Sequence, residues 1–488
     1  MKKNRMLSFA AGVLLACSIN FVYAQTGNEV PPITTEAQQD AQAYLAAVKS
    51  NDEKAIAAQK KAIVKKYKKE EAMLLSIGQY FLQNKNYNEA ITFAKEAFDR
   101  NRKSVAATLL EGDAYYEMKK YGEAAGSYEQ ARMIDENDKR AYFNLVKVYK
   151  FIDPELSLEI MNTIKEKYPD DPAIAKTMAS IYYHQNDTAK ANSTYKEYFS
   201  KVKLEDDVEA ATEYAVVQFL NKDYSGSLRI VNAISAKAPK EISLNRMKFY
   251  DNIELGKVQE AEAASKAFFG QYADTLYNFS DYKYEGRLQT ELKNIDKAAA
   301  AYAKASEMAP EDKKAGLLKD LSDAYMKVGK YDEAAGAYQK YIDKVNPESI
   351  VERYNKGKIY YTALSDTTLT ADQKKHFIEA GDALFKEVAA KDGSYLGPFW
   401  SARINSMLDP ESPNDISMQQ YTESLKRLEG KDESYNSKRV ECLRYMTFYY
   451  FKKDDYTNSL AYAEKVLALS PNDGLASQIK NVLSKLKK

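Results

Sequence analysis

The 488-residue sequence has few of the residue types on which most catalytic and metal sites depend: it contains two histidines, two cysteines and one tryptophan. His184 and His376 are far apart along the chain, so neither has companions at the spacing of a zinc site or of a histidine-dependent catalytic triad. A glycine-rich phosphate-binding loop is also absent. The sequence therefore predicts a protein that is not an enzyme and that holds no metal and no cofactor.

An excess of one charge sign is absent as well, because 71 Lys and Arg residues are balanced by 70 Asp and Glu residues. A near-neutral balance argues against a nucleic-acid-binding protein and against one that adsorbs strongly to membranes. After residues 7–22 no apolar run is long enough to cross a bilayer, so we expect no transmembrane segment in the mature chain.

Residues 1–24 have the pattern of a signal peptide: a basic start, an apolar run and small residues at the cleavage positions. We expect cleavage after Ala24, a linker at 25–35, and export to the periplasm of a Gram-negative-type bacterium. The alternative is an outer-membrane lipoprotein anchored through Cys17, because the residues before Cys17 resemble a lipoprotein cleavage box. The apolar residues that follow Cys17 favour ordinary cleavage, since a lipoprotein tether is normally polar. Cys442 would then be the remaining cysteine, which predicts no internal disulfide.

What the sequence has in abundance is a repeated pattern, clearest in residues 105–138 (VAATLLEGDAYYEMKKYGEAAGSYEQARMIDEND). Each half of this stretch carries apolar residues at the three-and-four spacing of one helical face. Lys119 and Lys120 separate the halves, and so short a loop makes the two helices antiparallel neighbours. One such hairpin buries too little apolar surface to be stable alone, so it needs other hairpins to stack on.

The spacing of five residues in this stretch resembles the tetratricopeptide repeat, a helix–turn–helix unit of about 34 residues. These residues are Gly112, Tyr115, Ala124, Tyr128 and Ala131. The stretch departs from the family pattern at Glu111 and Glu136, where a leucine and a closing proline are usual. The resemblance implies an all-α fold, a right-handed superhelical solenoid of antiparallel helix pairs, with most of the 39 tyrosines in its core.

Versions of the repeat recur through most of the chain and predict its layout. The layout is a signal peptide at 1–24, a linker at 25–35, an N-terminal helical pair or cap at 36–70, repeats at 71–270 and 279–390, an irregular helical segment at 391–438, a last repeat at 439–472 and a capping helix at 473–488. An insertion at 363–374 interrupts the second array. Insertions of this kind are often binding loops, although the sequence favours a simple variation in the length of an exposed loop here. Trp400 lies in the irregular segment, and we expect it in the core.

The resemblance also implies where a partner would bind, because members of the family bind partners on a concave face lined by the first helix of each pair. The fifth, ninth, twelfth and thirteenth positions of the repeat line that face. In this sequence they give Tyr116, Phe143, Lys147, Tyr183, His184, Phe219, Arg287, Lys319, Tyr354, Lys358, Tyr361, Arg444 and Phe448. Aromatic and Arg side chains commonly anchor interfaces. The alternative is that these amphipathic side chains simply cover a wide groove.

Some members of the family hold a C-terminal carboxylate with a Lys and an Asn at the fifth and ninth positions of one helix. No unit of this sequence has that pair, since Lys176 is followed by Ser180 and Lys319 by Asp323.

The function predicted from the sequence is that of a non-catalytic scaffold or adaptor in the bacterial cell envelope. Its expected partner is a protein or peptide bound along the concave face, with a membrane-associated complex as one setting, and nucleic acid is not expected. Two alternatives stay open. One is a surface lipoprotein that captures carbohydrate or another nutrient, and the other is an accessory subunit of an outer-membrane assembly or secretion complex.

Overall fold

The computed structural model describes residues 32–409 and 411–486, and this part of the chain contains 25 α-helices and no β-strand. The helices belong to two compact units, unit 1 up to Gly256 and unit 2 from Lys257 onward. The predicted signal peptide at 1–24, Cys17 and most of the predicted linker at 25–35 lie outside the described residues.

Up to residue 234, unit 1 consists of antiparallel helix pairs in which each odd-numbered helix packs against the even-numbered helix that follows it. The odd-numbered member is called the first helix below. The helices are α1 (Thr35–Lys49), α2 (Glu53–Lys66), α3 (Glu71–Gln83), α4 (Tyr87–Arg100), α5 (Val105–Glu117), α6 (Tyr121–Ile134), α7 (Lys139–Tyr149), α8 (Pro154–Lys167), α9 (Pro172–His184), α10 (Thr188–Phe199), α11 (Val208–Leu220), α12 (Tyr224–Ile234) and α13 (Ile242–Glu254). A 3₁₀ turn at Leu204–Asp206 precedes α11.

Unit 2 repeats this construction from residue 279 to residue 469. Its helices are α14 (Val258–Phe269), α15 (Phe279–Glu291), α16 (Ile295–Met308), α17 (Glu311–Lys327), α18 (Tyr331–Val345), α19 (Ile350–Ala363), α20 (Ala371–Lys391), α21 (Leu396–Ser406), α22 (Asp415–Arg427), α23 (Asn436–Lys452), α24 (Tyr456–Leu469) and α25 (Gly474–Leu486). Short 3₁₀ turns at Asp274–Leu276 and Glu433–Tyr435 precede α15 and α23. The predicted all-α solenoid of antiparallel helix pairs is therefore confirmed.

A glycine on the first helix lets the two helices of a pair approach closely. A Cβ atom at Gly112 of α5 would lie 2.5 Å from Cε1 of Tyr128 on α6, so a larger residue would push the ring away. The Tyr128 ring is fully buried, and its hydroxyl donates a hydrogen bond of 2.7 Å to Oδ1 of Asp113. Gly286 and Tyr302 repeat this contact in unit 2, where the added Cβ would lie 2.9 Å from the ring. The glycine spacing in the sequence thus reports helix packing.

Short turns reverse the chain between the two helices of most pairs. Lys119 and Lys293 occupy such turns in the left-handed region, with φ of 60° and 59°. Gly329 does the same at φ 75°, a conformation that glycine adopts without steric cost. The turn between α7 and α8 is built differently, because it contains no left-handed residue and leaves Phe151 and Ile152 62% and 67% exposed.

Two segments that the sequence marks as irregular contain helical structure. The predicted insertion at 363–374 is a loop at 364–370 followed by the first turn of α20, which Thr370 and Gln373 close with a capping box. Helix α20 is correspondingly long, at 21 residues. The segment at 391–438 contains the α21–α22 pair, and Pro398 lies in the first turn of α21, where a missing N–H breaks no helical hydrogen bond.

Candidate functional site

Every predicted partner-binding residue lies on the first helix of its pair, from Tyr116 on α5 to Phe448 on α23. The structure does not bring all of them together. It groups some into a patch in unit 1 and others into a site in unit 2, and it places one of them in the core.

The patch in unit 1, called the Lys147 patch below, joins two neighbouring first helices through Tyr116 and Lys147. The Lys147 ammonium of α7 lies 3.9 Å from the centroid of the Tyr116 ring on α5, which is contact distance for a cation on an aromatic face. The edge of the Tyr121 ring packs on Tyr116 at a centroid distance of 5.4 Å. Burial raises the pKa of Tyr116 above its ordinary value, so the phenol stays neutral beside the lysine. The Lys147 ammonium is therefore held against the Tyr116 ring.

Phe143, Tyr183 and His184 are packed side chains close to this patch in the sequence. Phe143 is partly buried against the core of unit 1, and the His184 ring lies 5.1 Å from Tyr183 and 4.9 Å from Phe151 between ring centroids. Burial, with a contribution from the nearby Lys150 ammonium, lowers the pKa of His184 to about 4. His184 is thus a neutral packed ring at pH 7.

The prediction that Phe219 lies on the binding face is wrong. Its side chain is only 8% exposed, and its ring packs against Tyr224 at 5.3 Å and Tyr250 at 5.9 Å between centroids. Tyr224 begins the second helix of the same pair, and Tyr250 belongs to α13, the next helix along. Phe219 is therefore a core residue.

Two basic residues of unit 2 lie beside single aromatic rings. The Arg287 guanidinium lies 4.9 Å from the centroid of Tyr284, one turn earlier on α15. Lys319 of α17 is exposed, and its ammonium lies 5.9 Å from the centroid of Tyr341. Neither contact joins two neighbouring first helices.

Tyr354, Lys358 and Tyr361 of α19 meet Trp400 and Arg403 of α21, and these five residues are called the Trp400 site below. The centroid of the Trp400 ring system lies 5.7 Å from Tyr354 and 5.0 Å from Tyr361, with the rings nearly perpendicular. Trp400 packs against the core, as expected, but part of its ring system is exposed. The fully buried Phe385 packs near it at 5.9 Å.

Two cations lie over the single Trp400 ring system. The Lys358 ammonium is 5.6 Å and the Arg403 guanidinium 4.9 Å from its centroid. Glu441 neutralises Arg403 with two hydrogen bonds, which Arg403 donates from Nε at 2.5 Å and from Nη2 at 2.6 Å. Lys358, by contrast, has no carboxylate within 4.0 Å in the described part of the chain. The site therefore carries one cation that is paired and one that is not.

Arg444 and Phe448 of α23 have local partners. Arg444 forms an ion pair with Asp473, whose carboxylate is fully buried and accepts a 3.0 Å hydrogen bond from the Ala476 N–H at the start of α25. The Lys452 ammonium lies 5.2 Å from the centroid of Phe448. Arg444 thus helps to hold the last helix in place.

The residues that the sequence predicts for the partner-binding face do not include Trp400 and Arg403. The available signal was their place on a first helix, three residues apart and therefore on one helical face, beside a helix rich in tyrosine and lysine. The irregular appearance of residues 391–438 hid that first helix.

The described ranges contain no cluster of His, Cys, Asp and Glu side chains arranged to hold a metal ion. No helix in those ranges has the length and apolar character needed to cross a membrane.

Two segments of the chain match family models described as tetratricopeptide repeat: residues 81–149 and residues 284–349. No curated protein matches the chain. Among solved structures, it is similar to the C-terminal part of a TPR repeat-containing protein from Cytophaga hutchinsonii, with 20% identity, a TM-score of 0.42 and coverage of 55% of this chain and 98% of that one.

A tetratricopeptide repeat protein from Parabacteroides merdae is also similar, with 18% identity, a TM-score of 0.36 and coverage of 52% and 98%. PilF of Pseudomonas aeruginosa matches with 14% identity, a TM-score of 0.37 and coverage of 42% and 92%. The Lys147 patch lies in the first segment that matches a family model, and the Trp400 site lies outside both segments.

Proposed function

The chain is a tetratricopeptide-repeat protein, and on that premise we propose that it is a non-catalytic scaffold that holds a protein or peptide partner against its first helices. The observation that carries the proposal is the pairing of cations with aromatic rings across neighbouring first helices. Lys147 of α7 lies over Tyr116 of α5, and Lys358 of α19 lies over Trp400 of α21. The aromatic rings of such a surface bury a large area on binding while losing few rotamers, which suits an interface.

The stacked helix pairs supply the mechanism. Glycine–aromatic contacts such as Gly112–Tyr128 fix the two helices of a pair, so the side chains on the first helices are held in place before a partner arrives. A preordered surface avoids much of the entropy that ordering a flexible loop on binding would lose. The scaffold therefore binds without a large change of its own structure.

We place this scaffold in the cell envelope, as the signal-peptide pattern of residues 1–24 suggests. Mass spectrometry of the mature N-terminus tests this part. A chain that begins at Gln25 supports periplasmic export, a lipidated Cys17 supports outer-membrane anchoring, and an intact N-terminus in the cytoplasm contradicts both.

Site-specific photo-crosslinking tests the binding face. A photoreactive phenylalanine analogue is placed at Tyr116 or Tyr361 on first helices and, as matched controls, at Met133 or Val345 on second helices, where the native side chains are 84% and 52% exposed. Each protein is irradiated in an envelope extract of the source organism. We expect discrete protein adducts from the first-helix positions and none from the controls. Adducts of equal yield at all four positions, or adducts from the second helices only, would contradict the proposal.

A further inference from the structure

The Trp400 site has an electrostatic imbalance that points to the chemistry of what it binds. Lys358 and Arg403 both lie within 6 Å of the same indole centroid. A partly buried cation is stabilised by an anion close to it. Glu441 supplies that anion to Arg403 through two hydrogen bonds, and no described residue supplies one to Lys358.

Resting on the proposed scaffold function, we propose that the Trp400 site binds an Asp or Glu side chain within an extended segment of a partner protein. Lys358 receives the carboxylate, and the partly exposed ring of Tyr361, beside Trp400, receives an apolar side chain next to it in the segment. The argument is one of charge complementarity: the bound carboxylate gives Lys358 the counter-ion that Glu441 already gives Arg403.

The surroundings of Trp400 favour an anionic segment over a sugar. Stacking of a sugar needs an open aromatic face, whereas the ring system of Trp400 has Lys358 and Arg403 over it and Phe385 inclined to it by 36°. The perpendicular Tyr354 and Tyr361 rings flank it further. Cations already occupy the surface that a sugar ring would need.

The amide side chains near the site favour a side-chain carboxylate over a chain terminus. Holding a terminal carboxylate normally also requires an amide side chain that binds the peptide backbone. Asn355 donates to Glu352 at 3.2 Å, and the buried Asn405 donates to Asp382 at 2.7 Å. Both amides of these two helices are therefore engaged within the protein.

Fluorescence tests the proposal directly, because Trp400 is the only tryptophan of the chain. The probe is the capped peptide acetyl-Gly-Phe-Asp-Phe-Gly-amide, titrated into the full-length protein. We expect a saturable change in Trp400 emission. Replacing the Asp of the probe by Asn should weaken binding at least about tenfold, as should Lys358→Gln in the protein, since each removes one partner of a charged hydrogen bond. Added salt should weaken binding of the Asp probe and leave binding of the Asn probe unchanged.

The control variant is Lys340→Gln, which removes an exposed lysine from the second helix α18. It should bind the Asp probe like the wild type, and far-UV circular dichroism should give the same helix content for both lysine variants. Equal binding of the Asp and Asn probes, or undiminished binding by Lys358→Gln, overturns the proposal. So does an Asn probe with a free C-terminus that binds as tightly as the capped Asp probe, because it identifies a terminal-carboxylate site.

Maltohexaose is the carbohydrate probe, and a change in Trp400 emission with maltohexaose but not with the Asp peptide also overturns the proposal. Failure of all probes up to millimolar concentration does the same. The crosslinking pattern tests the scaffold function separately. Adducts at the first-helix positions without peptide binding would reject the acidic segment and leave the scaffold function standing. Peptide binding without such adducts would reject the scaffold function.

Discussion

The Lys147 patch of unit 1 and the Trp400 site of unit 2 both place a lysine of one first helix over an aromatic ring of a neighbouring first helix. The two differ in how closely the ammonium group approaches the ring. In unit 1 the Lys147 ammonium lies 3.9 Å from the centroid of one ring, that of Tyr116. In unit 2 the Lys358 ammonium lies 5.7 Å from Tyr354 and 5.6 Å from Trp400, and it shares Trp400 with Arg403. The difference teaches that an aromatic ring satisfies Lys147 more completely than it satisfies Lys358, so the Trp400 site is the stronger candidate for binding an anionic group of the partner.

The comparison assumes that helix packing is equivalent in the two units, and glycine substitutions test this with the largest expected effect. Gly112→Ala in unit 1 and Gly286→Ala in unit 2 each drive a methyl group into a tyrosine ring, at 2.5 and 2.9 Å. We expect each to lower the free energy of unfolding by about 1–3 kcal/mol, the usual effect of overpacking. Chemical denaturation followed by far-UV circular dichroism measures it, and Trp400 fluorescence reports unit 2.

Gly126→Ala on α6 and Gly336→Ala on α18 are the matched controls, because a Cβ at either position meets no atom within 4 Å. Both should raise the free energy of unfolding by about 0.5–1 kcal/mol, since alanine is the better helix former. A tolerated Gly112→Ala beside a disruptive Gly286→Ala would break the equivalence of the units.

The predictable part of the fold rests on these same glycines. Gly112 and Gly286 face aromatic residues of the second helix, and this local contact recurs at a fixed spacing, so the sequence alone predicts the helix pairs. Trp400 could not be placed in the same way. Its partners Tyr354 and Tyr361 belong to the preceding pair, and helical periodicity does not predict contacts between pairs.

The site prediction was limited by the same cause. The first-helix location of each candidate followed from the repeat, whereas its exposure depends on the neighbouring helices. Phe219 is buried because Tyr250 packs on it, and Arg444 is engaged because the buried Asp473 lies beside it. Position in a repeat thus predicts which helix carries a side chain, and it does not predict whether that side chain is exposed.

The units also differ in how they bury an aspartate, and the second prediction uses this difference. Asp251 of unit 1 is fully buried, and neither carboxylate oxygen has a hydrogen-bond partner in the described chain. Burial, together with repulsion from Asp223 and Glu254, raises the pKa of Asp251 to about 8, although the nearby Ser227 hydroxyl acts against the shift. Asp281 of unit 2 is equally buried but accepts a 2.8 Å hydrogen bond from the Asn278 N–H in a capping box.

A raised folded-state pKa means that folding favours the protonated carboxyl. The stabilisation is complete below the unfolded-state pKa, near 4, and is lost as the pH rises to about 8. Between pH 6.5 and 8 we expect the free energy of unfolding to fall by up to about 1.4 kcal/mol per pH unit. Asp251→Asn should abolish this slope and make the protein more stable than the wild type at pH 8.

The window avoids the opposite effect of His184, whose pKa is lowered to about 4, so that its contribution is complete above pH 6.5 and is lost below it. Urea denaturation at several pH values measures both effects. Asp281→Asn is the control, and it should destabilise the protein at pH 8 by about 0.5–2 kcal/mol, because it weakens a cap. An unchanged slope in Asp251→Asn would show that the buried carboxyl of unit 1 finds a partner as good as that of Asp281.

The smallest expected effect bears most directly on the comparison of the two lysines. A double-mutant cycle between Lys147→Gln and Tyr116→Leu should give a coupling free energy of about 0.5–1 kcal/mol, because that ammonium contacts the ring. The corresponding cycle between Lys358→Gln and Trp400→Leu should give less than about 0.5 kcal/mol, since Lys358 is farther from its ring. Both cycles are read by far-UV circular dichroism, which does not depend on Trp400. Equal coupling free energies in the two cycles would mean that Trp400 stabilises Lys358 as strongly as Tyr116 stabilises Lys147. The Trp400 site would then have no unsatisfied cation to distinguish it from the Lys147 patch.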